Sequence, residues 1–211
     1  MKNNINLICA ANVICHIPDL KDLIKSLDFL LSKKGLFIFE EPYLGAMFKK
    51  VSYDQIYDAH VFIFSLHSIK TIFKDYGFDL INCLPQKTHG GSMRYVLARK
   101  NVYKVKSNVG KFLNKEKKAK LNKFSSCLKF KNDCEKSKKK FRQKILNLKK
   151  NGKTICGYAA SAKSTTALNY CKINYNHIEY IVDSTKEKIG KFKPGTHIPI
   201  KNPNYFKKNY T

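Results

Sequence analysis

Apolar residues follow two rhythms in the first hundred positions of this chain. The run INLICAAN, residues 5–12, is a short apolar stretch that ends on polar Asn12, the mark of a buried strand. Beyond it Leu20, Leu23, Ile24, Leu27, Leu30 and Leu31 recur at intervals of three and four, which predicts a helix with one buried face. Asp19 is placed to cap its start and Gly35 to end it. LFIFEEPY, residues 36–43, predicts a second buried strand with Glu40 and Glu41 at its C-terminal edge. A helix from about His67 to Tyr76 stops at Gly77, and FDLINCLP and SMRYVLAR read as two strands joined by the polar, Gly-rich QKTHGG.

From 101 to 150 the rhythm changes. Lysine dominates, with apolar residues at Phe112, Leu121, Phe124, Leu128, Phe141, Ile145 and Leu148. This predicts one or two amphipathic helices serving as a linker, with a coiled coil or a membrane-surface helix as the alternative. A second strand–helix–strand series follows in KTICGYA, KSTTALNYCKI and IEYIVDS, and KFKPGTHIPI reads as a Pro/Gly turn into a short strand. Such alternation implies parallel sheets, hence an α/β fold with domains over 1–100 and 151–211 and a helical linker over 101–150. The first series has too few strands for a doubly wound domain, so half of that domain is expected to lie outside the chain.

The net charge of +26 suggests a polyanion partner, but only three of the 41 basic residues are arginine. Readers of nucleic acid favour arginine for bidentate contacts, and lysine alongside abundant Asn and Ile reads instead as a compositional surface. No apolar run approaches the roughly 20 residues that span a bilayer. The N-terminus lacks the order of a secretory signal, so a cytoplasmic protein with no membrane partner is expected. Seven cysteines occur without any C-x-x-C pair, which predicts reduced, mostly buried thiols and no metal site.

Four stretches carry candidate chemistry. GYAASAKST resembles a phosphate loop, yet Ala162 stands where the loop needs glycine, which argues against nucleotide hydrolysis. Lys163, Ser164 and Thr165 at a helix start can still hold a phosphate. KTHGGSMRY sets His89, Gly90, Gly91 and Arg94 around a turn that is either an ordinary hairpin or a ligand contact, with Arg94 able to pair a phosphate or carboxylate. Asn12, His16, Glu40, Glu41 and Tyr43 follow strand ends, where open α/β sheets place their crevice. In SYDQIYDAHVFIFS, His60 has the chemistry of a general base and Tyr57 that of an oxyanion donor. On the residues alone, His60 reads first as a core histidine whose hydrogen bonds are satisfied.

The stretches ANVICHIPDL, FIFEEPYLG, SYDQIYDAHVFIFS, HGGSMRY, GYAASAKSTTALNYC and PGTHIPI, in that order, resemble the S-adenosylmethionine-dependent sugar C-methyltransferases. The resemblance runs over essentially the whole chain. It implies methylation of carbon 3 of a nucleotide-linked 4-keto deoxysugar through an enolate, with S-adenosylmethionine as donor. It also implies the C-terminal half of a class I methyltransferase Rossmann-like domain followed by a truncated α/β domain. The donor's glycine loop and a cysteine-rich zinc domain would lie outside this chain, which implies a separately encoded N-terminal half as a partner. By the same resemblance His60 is the base and Tyr57 assists it. Sugar-nucleotide contacts are implied for Asn12, His16, His89–Arg94 and the Ala162–Thr165 turn. Ala59 stands where the family commonly has glutamate, and Ala159 where it has the last glycine of GYG. A sugar-nucleotide-binding fragment without turnover and a basic polyanion-binding protein are the rival readings.

Overall fold

The computed structural model describes residues 3–210, with side chains from 3 to 206. The chain divides into two units, residues 1–52 with 58–130 and residues 53–57 with 131–211.

In the first unit, β1 (Ile5–Ala11), α1 (Leu20–Leu30) and β2 (Leu31–Pro42) form a strand–helix–strand series with β1 and β2 parallel. Asp19 caps α1 as expected, its side chain accepting from the Asp22 amide at 2.9 Å. Gly35 does not end the helix. The chain passes into β2 at Leu31, and Gly35 lies within the strand, where an added Cβ would meet the Ile5 carbonyl oxygen at 2.8 Å. Close approach of β1, not a helix terminus, is what calls for glycine there.

The unit continues through α2 (Leu44–Lys50), α3 (Leu66–Lys74), β3 (Phe78–Gln86), β4 (Ser92–Arg99) and α4 (Ser107–Lys118). The sheet order is β1-β2-β4-β3, with β4 antiparallel to both neighbours. One sheet face packs Phe37, Phe39, Tyr95 and Leu97 against Ile24 and Leu27 of α1, Leu66, Ile69 and Phe73 of α3, and Val109 of α4. The alternate residues Leu36, Ile38, Val96 and Ala98, with Ile81, make a smaller cluster on the opposite face.

In the lysine-rich segment two helices form, α4 and the 27-residue α5 (Phe124–Lys150), whose residues from Lys131 onward belong to the second unit. That unit also holds β5 (Cys156–Tyr158), α6 (Ala162–Tyr170), β6 (Tyr180–Val182), β7 (Ile200–Lys201) and α7 (Pro203–Tyr210). Its three strands are parallel in the order β5-β6-β7. Ile145, Leu168, Cys171, Ile173, Ile178, Ile181, Ile198 and Ile200 form its core. Strand–helix alternation thus gives a parallel sheet in the second unit and a mixed sheet in the first, the α/β class the sequence predicts.

Among the described residues, no helix is long and apolar enough to cross a membrane. All seven cysteines are free thiols, four of them buried.

Candidate functional site

At the C-terminal end of β1 the chain turns sharply. Asn12 has a φ of 54°, and its amide donates to the Glu40 carbonyl on β2 at 2.8 Å. The next residues are fastened by Glu41. Its Oε1 accepts from the amides of Val13 at 2.9 Å and Ile14 at 2.6 Å. Glu41 is fully buried, and its Oε2 has no hydrogen-bond partner among the described residues. Expected at the edge of a crevice, Glu41 instead turns inward and fixes the path of the loop that carries Cys15 and His16.

That loop meets the one carrying His60. The Phe62 amide donates to the Cys15 carbonyl at 3.2 Å, and His16 Nδ1 bonds the Ala59 carbonyl. A carbonyl only accepts, so Nδ1 is the donor here, and the neutral ring that fits this bond has its lone pair on Nε2. The His16 and His60 rings lie 5.0 Å apart, tilted by 46°. One donor atom from each of Cys15, His16 and His60 lies within 4.8 Å of the others, with the thiol buried and both imidazoles half-buried. The sequence separates these histidines by 44 positions, and the fold brings them together. Tyr57 falls in the short segment that groups with the second unit, whereas His60 groups with the first.

The Gly-Gly turn sits between β3 and β4. His89, Gly90 and Gly91 all have positive φ, at 49°, 81° and 130°. Glu40 anchors it, accepting from Thr88 Oγ1 at 2.6 Å and from Arg94 Nη2 at 2.9 Å. The Thr88 hydrogen bond, aided by the Arg94 guanidinium, holds the Glu40 carboxyl below the usual carboxylate range despite partial burial. Glu40 and Arg94 also line a cavity of about 570 Å³ with Cys9, Ala10, Ala11 and Leu84. Tyr43 caps α2, and its hydroxyl donates to Glu116 of α4 at 3.0 Å. Burial, then the Glu116 charge, raises the Tyr43 phenol well above its ordinary value.

In the second unit, Lys163, Ser164 and Thr165 occupy the first turn of α6. Ser161 caps that turn, accepting from the Ser164 amide at 3.2 Å. Ala159, the departure from glycine, takes a φ of 69°, a left-handed conformation that glycine adopts at lower cost. Asp183, beyond β6, accepts from the Ala160 amide at 2.7 Å and the Thr185 amide at 2.8 Å. Hydrogen bonds from Thr185 lead in holding its carboxyl far below the ordinary range. Beneath the turn, buried Lys193 donates to the Ser161 carbonyl at 2.8 Å and to Thr165 Oγ1 at 2.7 Å. Burial, reinforced by Lys188, pushes Lys193 down to about 8, while Asp183 pulls the other way.

Residues 87–211 match the family described as the C-methyltransferase C-terminal domain, and residues 2–82 match a methyltransferase domain. The chain belongs to the C-methyltransferase family. It is also similar to the C-methyltransferase NovU of Streptomyces niveus, at 29% identity over 198 residues. That alignment covers 93% of this chain and 47% of the relative, so the chain spans about half the length of the curated relative it matches. The methyltransferase match places the first unit in the Rossmann-like class I group.

Within this C-methyltransferase framework, three organising groups carried no role in the sequence. Glu116 receives the Tyr43 hydroxyl in the first unit. Asp183 and Lys193 hold the α6 turn in the second. A lone acid in a lysine run was the available signal for Glu116, and a lysine beside Pro-Gly was the signal for Lys193. Cys15 had no signal beyond its place next to His16.

Proposed function

We propose that this chain supplies the proton-abstracting part of an S-adenosylmethionine-dependent C-methylation of a nucleotide-linked 4-keto deoxysugar. The observation that supports it is the His16–His60 pair at the end of β1, held by the Cys15–Phe62 and His16–Ala59 backbone links. In this reading a ring nitrogen of His60 takes the proton from carbon 3 of the sugar. The C–H electron pair becomes the C3–C4 double bond, and the carbonyl electrons move onto oxygen to give the enolate. His16, with Nδ1 committed to the Ala59 carbonyl, offers Nε2 to a substrate hydroxyl. Arg94 and His89 on the Gly-Gly turn serve as polar and phosphate contacts.

S-adenosylmethionine, when bound, supplies the electrophilic methyl group. The residues present do not make a glycine cradle for it: the sequence contains no Gly-x-Gly, and parallel strands β1 and β2 run into Asn12-Val13 and Tyr43-Leu44. No step through the donor is therefore assigned to these residues, and this reading requires a donor-binding half beyond them.

The test is solvent exchange at carbon 3. The chain is incubated in heavy water with a thymidine diphosphate-linked 4-keto-6-deoxysugar, and deuterium incorporation is followed by proton NMR. Exchange is expected with the wild-type chain and should vanish in His60→Asn. Exchange that persists in the variant would refute the base assignment. Binding of the sugar nucleotide with no exchange would favour a second reading, a sugar-nucleotide-binding module without turnover.

A further inference from the structure

Cys15, His16 and His60 bring one thiol and two imidazoles together from two loops, with one donor atom of each within 4.8 Å of the others. We propose that these three residues bind a single zinc-class divalent transition-metal ion and leave a fourth coordination position open.

The donor set is the first reason. Thiolate and imidazole are the ligands that borderline ions such as Zn²⁺ and Co²⁺ prefer over the harder Mg²⁺ and Ca²⁺. Three protein ligands with one vacancy is also the arrangement of zinc sites that admit water or a substrate oxygen, as opposed to closed structural sites. The second reason is orientation. Metal-bound histidines commonly donate their other ring N–H to a carbonyl, which fixes the tautomer and aims the lone pair. His16 has that arrangement already, with Nδ1 on the Ala59 carbonyl and Nε2 carrying the lone pair.

The third reason is how the loops are held. Glu41 clamps the amides of Val13 and Ile14, and the Phe62 amide bonds the Cys15 carbonyl, so the ligands' backbones are tied in place before any ion arrives. Cys15 is 1% exposed and both histidines are half-buried, so an ion entering from solvent meets imidazole first and thiol last. Tetrahedral bonding at zinc distances places donor atoms roughly 3.3–3.6 Å apart. Closing from 4.8 Å to that spacing asks for a shift of about one ångström, within the reach of side-chain rotation. On binding, the Cys15 S–H bond breaks, sulfur bonds the metal and the proton passes to solvent.

The site has one functional consequence, which rests on the reading of His60 as base. A metal-bound His60 has no lone pair for the sugar proton, so metal occupancy and proton abstraction exclude each other.

The test needs no substrate. The reduced full-length chain carrying Cys9→Ser and Cys127→Ser, which remove the two exposed thiols, is titrated with Co²⁺. Expected are a one-to-one end point, the intense visible bands of four-coordinate cobalt, a thiolate-to-cobalt charge-transfer band, and displacement of all three signals by Zn²⁺. Cys15→Ser should abolish the charge-transfer band, and His16→Gln and His60→Gln should each weaken Co²⁺ binding at least about tenfold. If Cys15→Ser fails to fold, the double variant His16→Gln/His60→Gln decides: loss of one-to-one binding supports the site. A missing thiolate band in the starting protein, or undiminished binding in the double variant, overturns it. Zinc binding without deuterium exchange at carbon 3 would leave the metal site standing and remove only the enolisation reading.

Discussion

Glu116 of α4 is the side chain whose loss should cost the first unit most. It is 4% exposed and serves the start of α3: Oε1 accepts from the Leu66 amide at 2.7 Å and from Tyr43 Oη at 3.0 Å, and Oε2 accepts from the His67 amide at 3.0 Å. Leu66 and His67 are the first two residues of α3, whose amides have no partner within the helix. The carboxylate also opposes the positive end of the helix dipole. Glu116→Ala leaves the buried Leu66 amide, the partly buried His67 amide and a phenol without their acceptor. Hydrogen bonds to a charged group contribute about 1.5–3 kcal/mol each, and they do not add fully. A loss of about 3–5 kcal/mol is expected, from about 1–3 kcal/mol for each donor left unsatisfied. At a urea dependence of about 1.5–2 kcal/mol per molar, this lowers the unfolding midpoint by roughly 1.5–3 M. Glu116→Gln keeps an acceptor but loses the charge, and should fall between wild type and Ala. Urea unfolding followed by circular dichroism gives the midpoint, and amide hydrogen exchange at Leu66 and His67 reports the cap directly. A midpoint shift under about 0.5 M, with protection of both amides unchanged, would refute the reasoning.

Two further predictions rest on single residues. Lys193 is pushed down to about 8 by burial, below its unfolded value of about 10.4, so between those pH values the unfolded chain binds more protons and stability rises with pH. The second unit should gain about 1–2 kcal/mol between pH 8 and 10, and Lys193→Met should remove that gain in unfolding free energies measured at both pH values. Gly91 and Gly110 should respond with opposite signs to alanine. At Gly91 the φ is 130° and a Cβ would meet that of Ala46 at 2.6 Å, so Gly91→Ala should destabilise by about 2–4 kcal/mol. At Gly110 in α4 nothing lies within 4 Å, so Gly110→Ala should stabilise by about 0.5–1 kcal/mol, both measured by urea unfolding.

What the sequence made legible follows from which signals are local. Leu23, Ile24 and Leu27 revealed α1 because a helix repeats its buried face every three or four residues. Gly35 misled because a glycine after a helix and a glycine under a neighbouring strand look the same in sequence. Glu41 was placed at the correct strand end, but whether a carboxylate faces solvent or clamps its own loop depends on Val13 and Ile14, 27 or 28 positions away. The nearness of Cys15 and His16 to His60 is likewise a product of loop closure. Glu116 lies in a segment whose lysines dominate any charge pattern, and its partners are on α2 and α3.

Among the described residues β1 is the outer strand of its sheet, and this has a bearing on handling the chain by itself. Its sequence INLICAA carries no charged residue, and Leu7 is 53% exposed. An edge of this kind recruits other strands, and natural proteins commonly block it with lysine or proline. Here the block is remote: a net charge of +26 keeps molecules apart by repulsion. Such repulsion fades over a Debye length of about 10 Å at 0.1 M salt and about 3 Å at 1 M. Added salt therefore works against dispersal of this chain, and concentrated stocks keep best at low ionic strength.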